Sequence, residues 1–203
     1  MTTRELEEKI RYLEDYNSIC QLQSMYAQYW LLGWLGKMPE LFAKKTPGVM
    51  LEISNKGVFE GSDAPQRYFG TRARDHQAPG WMIWHMAVNP IIQINKEGTL
   101  AKGMWLSPGI TCSVIDGELT AMWLWGKYDM EYAKEDGEWK ILKMRWVQVF
   151  RAPYDKGWVK ASLDSTTDDR LSPDRPSAPG YYDPYRPDKI KVFGPPPPEP
   201  YED

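Results

Sequence analysis

The chain has 203 residues, 42% hydrophobic and 26% charged, enough to bury one sizeable core. Its formal net charge of −3 makes no case for nucleic acid or an anionic membrane surface, and no apolar run approaches the ~18 residues of a membrane span. Two cysteines, Cys20 and Cys112, and two histidines, His76 and His85, suit neither a disulfide framework nor a metal site, so no metal or other cofactor is expected and the cysteines fit a reducing, cytoplasmic compartment.

In chain order, the first element is a long amphipathic helix. Leu6, Ile10, Leu13, Ile19, Leu22, Met25, Tyr26, Tyr29 and Trp30 recur at three- and four-residue steps, with Thr3 as the expected N-cap. Its start, MTTRELEEKI, lacks the apolar stretch of a secretion signal. Gly33 and Gly36 loosen the pattern, and Pro39 suits the first turn of a short second helix through Leu41 and Phe42. The period then becomes that of strands, with 49–54 and 58–60 flanking an Asn55-Lys56-Gly57 turn. Ser62 or Asp63 caps a third helix, with Pro65 in its first turn and Tyr68-Phe69 on its apolar side. Four long strands follow, over 81–95, 99–110, 118–134 and 139–151, joined by Gly- and Asp-containing turns. Pro90 and Pro108 fall inside two of them and predict bends, bulges or edges, because proline cannot donate to a ladder.

Ten of the seventeen prolines lie in residues 173–203, which argues against a packed domain there. Tyr181, Tyr182, Tyr185, Ile190, Val192, Phe193 and Tyr201 nevertheless make this stretch too apolar for a solvated linker. We therefore read 1–152 as one domain and 153–203 as an extended Pro/Tyr-rich tail lying on that domain or on a neighbouring subunit. The element order gives an α+β fold, with helices packed on one face of a strongly curved antiparallel sheet that encloses a cone-shaped pocket. Trp125, Val147 and Val149 would make the outer sheet face sticky, which points to a homodimer or homotrimer.

Several segments carry a resemblance. They are Leu13-Glu14-Asp15 through Tyr26, Val58-Phe59-Glu60-Gly61 leading into Arg67-Tyr68-Phe69, Trp84-His85-Met86-Ala87-Val88-Asn89-Pro90-Ile91-Ile92, Ala101-Lys102-Gly103-Met104-Trp105, and Gly126-Lys127-Tyr128-Asp129 with Asp136-Gly137-Glu138-Trp139-Lys140-Ile141. In order and spacing, residues 5–150 resemble the SnoaL-like branch of the nuclear-transport-factor-2-like (NTF2-like) superfamily. The resemblance implies a cystatin-like cone. It also implies relatives such as polyketide cyclases, scytalone dehydratase, steroid isomerases, bile-acid dehydratases and lyases of lignin-derived aromatic dimers, most of which move protons without a cofactor. Other members have no known catalysis, and the small subunits of ring-hydroxylating oxygenases share the fold.

His85 is the leading catalytic candidate. Imidazole titrates near neutral pH and exchanges protons without a metal, and His85 falls at the strand histidine that faces the cavity in several family members. The plainer reading is a core histidine held by a backbone carbonyl. Strand parity puts Asn89 on the same side, where it would orient a substrate oxygen. His76 reads as a solvated helix end. Tyr26, Tyr29 and Tyr128 are further catalytic candidates, since a phenol in an apolar pocket donates to developing negative charge; each also suits a core. On the last strand, parity groups Leu142, Met144, Trp146, Gln148 and Phe150 inward and puts Arg145 outward, with an ion pair at a subunit interface. Gln148 would be the inward polar group, holding a substrate oxygen or completing a core network. Trp30, Trp105, Trp123, Trp146 and Met144 would form the walls.

One departure matters. The bile-acid dehydratase type carries a tyrosine and a following aspartate where its first helix ends. Alignment through Gly36-Lys37-Met38 puts Trp30 and Leu35 there, so that carboxylate base is missing. Asp15 lies early in the helix, Asp116 and Glu118 belong to a turn, and Glu52 stands on a strand of undetermined face. The expected function is a cofactor-independent lyase that eliminates water or a small carbonyl fragment such as formaldehyde from an aromatic, largely apolar molecule. Lyases of two-ring lignin fragments are the relatives whose substrates suit that lining. The alternatives are a non-catalytic module holding a hydrophobic ligand, and an assembly subunit with a filled cone.

Overall fold

A computed structural model of the chain describes residues 1–73, 75, 78–115, 117–165, 168–178 and 180–202. Helix α1 runs Thr3–Leu31, and its cap is Thr2 rather than Thr3: Thr2 Oγ1 accepts from the Glu5 amide at 3.2 Å, and the Thr2 amide donates to Glu5 Oε2 at 2.7 Å. Only its second half packs inward, through Asp15, Ile19, Gln23, Tyr26 and Trp30, while Leu6, Ile10 and Leu13 stay exposed. A 3-10 helix, Leu35–Leu41, contains Pro39. Strands β1 (Met50–Ile53) and β2 (Val58–Glu60) form a hairpin, and helix α2 spans Ala64–Arg72 with Asp63 at its N-cap position.

Two of the expected long strands are each broken in two. The first becomes β3 (Met82–His85) and β4 (Val88–Ile94), and the second becomes β5 (Leu100–Ser107) and the start of β6 (Gly109–Ile115), which runs on past the expected end at 110, with Pro108 at the corner. The Met86 amide donates to the Pro108 carbonyl at 3.0 Å, so the two breaks sit together. A register shift between Val88 and Ile91 brackets Pro90. Strands β7 (Glu118–Glu135) and β8 (Glu138–Pro153) form the long central hairpin. The main path through the sheet is β2-β1-β8-β7-β5-β4, and β6 also pairs with β7 and carries β3. Among the described strands, the pairings are antiparallel except β1 with β8, which is parallel. Because β5 and β6 turn apart at Pro108 along one strand, the sheet curls instead of lying flat.

The concave face is filled at one end and open at the other. The filled end holds Tyr132, Met130, Trp105, Met144 and Ile141 under α1. There Asp15 accepts from Trp139 Nε1 at 2.9 Å and from Lys134 Nζ, tying α1 to the β7–β8 hairpin. After β8, a short helix α3 (Gly157–Lys160) leads back along the chain's own surface. The Val58 amide donates to the Arg175 carbonyl at 2.8 Å, the Tyr185 amide to the Val149 carbonyl at 2.7 Å, and Lys127 Nζ to the carbonyls of Phe193 and Pro195 at 3.1 and 2.9 Å. No helix among the described residues is long and apolar enough to cross a membrane.

Candidate active site

The open end of the cone is a cavity of about 130 Å³. That is close to the ~150 Å³ that admits one benzene ring. Helix α1 contributes Tyr26 and Trp30, α2 contributes Tyr68 and Arg72, and β3 contributes Ile83 and His85. Leu124 and Tyr128 come from β7, and Trp146, Gln148 and Arg151 from β8. Lys56 in the β1–β2 turn, Trp81, and Ser165 beyond α3 complete much of the wall.

His85 is 6% exposed, and its Nδ1 lies 3.3 Å from Ser107 Oγ. The same hydroxyl accepts from Trp146 Nε1 at 3.1 Å and also hydrogen-bonds Tyr128. Ser107 therefore fixes three pocket side chains at once, and Nε2 of His85 has no protein bond among the described residues. The Trp146 ring stands edge-to-face on the imidazole with centroids 5.1 Å apart. Trp146 reaches this place because it crosses Gly126, where a Cβ would come within 2.5 Å of the indole. Burial, and then the nearby Arg72 guanidinium, push the His85 pKa down to about 4. At neutral pH the ring is uncharged and able to accept a proton.

The phenols lie close by. Tyr26 accepts from Trp30 Nε1 at 2.8 Å and packs edge-to-face on Tyr128 with ring centroids 5.8 Å apart. Among the described residues nothing accepts the Tyr26 O–H. Burial raises the pKa of Tyr26 well above the ordinary value, and the neighbouring Tyr128 raises it further; burial raises Tyr128 likewise. Both phenols therefore keep their protons at neutral pH.

The structure thus brings together His85, Tyr26, Tyr128, Trp30, Trp146 and Gln148, and it moves five other candidates elsewhere. Tyr29 falls beside the buried stripe of α1 and packs on Trp34 with centroids 5.8 Å apart. Asn89 is exposed with φ 53°, because the break at 86–87 and the β4 irregularity end the parity that linked it to His85. Trp105 and Met144 are solid core, with Trp105 Nε1 donating to Tyr132 Oη at 3.0 Å. Trp123 faces outward against Tyr154, their centroids 5.7 Å apart. Glu52 and Arg145 meet on the outer face, where Arg145 pairs within the chain with Glu52 at 3.6 Å and Asp129 at 3.3 Å. His76 and Asp116 lie outside the described residues. Among those described, no three His, Cys, Asp or Glu side chains converge on a metal-sized site.

The main difference from expectation is charge. Lys56, Arg72 and Arg151 line a pocket expected to be almost wholly apolar. Arg72 continues the inward stripe of Tyr68 and Phe69 on α2, one turn on, and hydrogen-bonds Tyr68; that spacing was readable. Arg151 was not readable. The ladder pairs Gly126 with Gln148 but Trp125 with Phe150, so Val149 is a bulged extra residue. Beyond it the faces swap: Phe150 stacks outside on Trp125 at 5.7 Å, and Arg151 turns inward. Burial first, then the charges of Arg72 and Arg151, bring the Lys56 pKa down to about 8, against the opposing pull of Asp168 and Asp75.

The SnoaL-like domain profile matches residues 11–145. Nothing among curated proteins matches the sequence. Solved structures share the shape at low identity. A candidate scytalone dehydratase of Novosphingobium aromaticivorans superposes with TM-score 0.59 at 16% identity, covering 79% of this chain and 99% of that one. Hexachlorocyclohexane dehydrochlorinase LinA type 3 of Novosphingobium barchaimii gives 0.59 at 15%, covering 71% and 93%. An NTF2-like protein with a cystatin-like fold from N. aromaticivorans gives 0.53 at 15%, covering 77% and 92%. With the profile spanning well over half of the residues and the cone in place, the chain belongs to the SnoaL-like domain family, with the NTF2-like, cystatin-like fold.

Proposed function

We propose that the chain is a cofactor-independent lyase that eliminates water from a single-ring aromatic β-hydroxy carbonyl compound. One observation carries the reading. A neutral imidazole, anchored through Nδ1 and open at Nε2, lines the same cavity as a phenol whose proton has no acceptor. With Nδ1–H donating to Ser107 Oγ, His85 Nε2 takes the proton from the carbon beside the substrate's carbonyl group. The released electron pair forms the carbon–carbon double bond, and the bond from the β-carbon to its hydroxyl breaks. That oxygen takes the Tyr26 proton and leaves as water, and the imidazolium then returns its proton to the phenolate through solvent. The cationic side of the wall stabilises negative charge on the carbonyl oxygen as it develops.

A candidate scytalone dehydratase and a dehydrochlorinase among the solved structures of this shape are consistent with elimination chemistry. A purely binding module needs no ring open at Nε2, and an assembly subunit needs no cavity. The cavity volume favours one aromatic ring over the two-ring lignin fragments that the sequence suggested.

The test is a panel of aryl β-hydroxy ketones and acids incubated with the protein in D₂O. Conjugated product is followed by near-ultraviolet absorbance, and exchange at the acidic carbon by proton NMR. Water loss, or deuterium entering the substrate, supports the reading; ligands that bind without either outcome return the protein to a binding role.

A further inference from the structure

We propose that the ligand of this cavity is an aromatic carboxylic acid, its carboxylate seated on Arg151 beside Lys56 and Arg72 and its hydroxyl donating to Gln148. The site is the one assigned above to elimination, and the inference rests on that reading only for where the ligand sits.

Arg151 is 7% exposed and lines the cavity, yet among the described residues no carboxylate pairs with it. Its polar contact is a long 3.4 Å reach from Nη1 to the Asp164 carbonyl, with Tyr182 also nearby. A guanidinium stays charged at any working pH and carries five donors, so this one is underused and buried. Among the described residues, the carboxylates near the cluster are already shared with Arg170. Arg72 shares Asp75 with Arg170 at 3.3 and 2.8 Å, and Asp168 binds Arg170 at 2.8 Å. Among the described residues, Lys56, Arg72, Arg151 and Arg170 thus surround two carboxylates, Asp75 and Asp168, and the cations outnumber them. Nε of Arg72 is also buried without a partner.

Gln148 adds the second requirement. Its Nε2 donates to the Leu163 carbonyl at 3.0 Å, which commits the amide nitrogen to the protein. Its Oε1 is buried with no hydrogen-bond donor. An acceptor beside a patch of cations asks for a ligand with an O–H close to its anionic group. The fork of Arg151 matches a planar carboxylate in two parallel bonds. A phosphate offers the same charge in a bulkier shape.

The experiment measures binding without turnover, in the full chain carrying His85→Gln, through the fluorescence of the cavity tryptophans Trp30, Trp81 and Trp146. The probes are 3-hydroxy-3-phenylpropanoate, 3-phenylpropanoate, the neutral 1-phenylpropane-1,3-diol, and phenyl phosphate. The hydroxy acid should bind at least tenfold tighter than the diol, and severalfold tighter than the acid lacking the hydroxyl. Adding Arg151→Gln should erase the preference for charge, and Arg151→Lys should keep part of it. Equal affinity for acid and diol overturns the proposal without any further variant, and tighter phenyl phosphate overturns the choice of carboxylate. Turnover of neutral ketones alone would sink this inference and leave elimination standing, whereas selective acid binding with no turnover anywhere would do the reverse.

Discussion

Replacing His85 with Gln is expected to lower kcat by about 10²–10⁴-fold, the usual share of a general base, while the affinity for a bound acid stays largely unchanged. Glutamine fills much of the same space but cannot take a proton. The wild-type pH profile should carry the same signature. The base works unprotonated, so kcat/KM is level at neutral pH and falls as pH drops through about 4, the value to which burial and Arg72 bring His85. The groups facing the ring are Ser107, Tyr128 and Trp146 on the sheet, Tyr26 on α1 and Arg72 on α2. Of these, Tyr26 and Tyr128 stay neutral throughout that range and arginine stays charged, so with a neutral aryl β-hydroxy ketone as substrate, which does not titrate there as a carboxylic acid does, the acid limb belongs to His85. Steady-state kinetics on both proteins check this; a loss under tenfold, or an acid limb kept by the variant, would place the proton transfer on another group.

Asp15→Ala is expected to cost about 3 kcal/mol of stability, a fall in Tm of roughly 6–12 °C for a chain of this size. Asp15 is 6% exposed and accepts from both Trp139 Nε1 and Lys134 Nζ. Its removal leaves a buried indole N–H unpaired and a lysine without its partner. Lys134 keeps 22% side-chain exposure and can turn to water, which holds the loss near the low end for broken buried pairs. Asp15→Asn, still able to accept from Trp139, should fall in between. Turnover per folded molecule should not change, because Asp15 sits at the filled end of the cone, roughly 16 Å along the helix from Tyr26. Thermal melts and activity normalised to folded protein separate the two effects. A destabilised but equally active variant shows that this buried carboxylate of the first helix holds α1 in place; loss of turnover in a stable variant would give it a chemical role.

Much of the cone was legible because its signals are local. The spacing of Ile19, Tyr26 and Trp30 marks the buried half of α1, and the glycine-containing turns delimit the hairpins. Pro90 and Pro108 marked the bends, although the depth of the break at Pro108 was not apparent. The candidate site was legible only where parity survives. His85 and Trp146 lie on uninterrupted stretches of strand and face inward as expected. Asn89 lies past a strand break and Arg151 past a bulge, and each break of register exchanges the two faces. A bulge at Val149 leaves no mark in composition or turn chemistry, so a cation was concealed where an aromatic was expected. Lys56 was hidden differently: a lysine in an Asn-Lys-Gly turn reads as solvated until the segment containing Ser165 closes over the same cavity.

The most direct measurement is ¹⁵N NMR of protein labelled at histidine, which reports on two side chains, His76 and His85. The His85 ring should remain neutral down to a pH of about 4, and 3-phenylpropanoate should shift its Nε2 resonance on binding. A ring that titrates at the ordinary ~6.5 and ignores the ligand would mean that water, not the cavity, surrounds the imidazole.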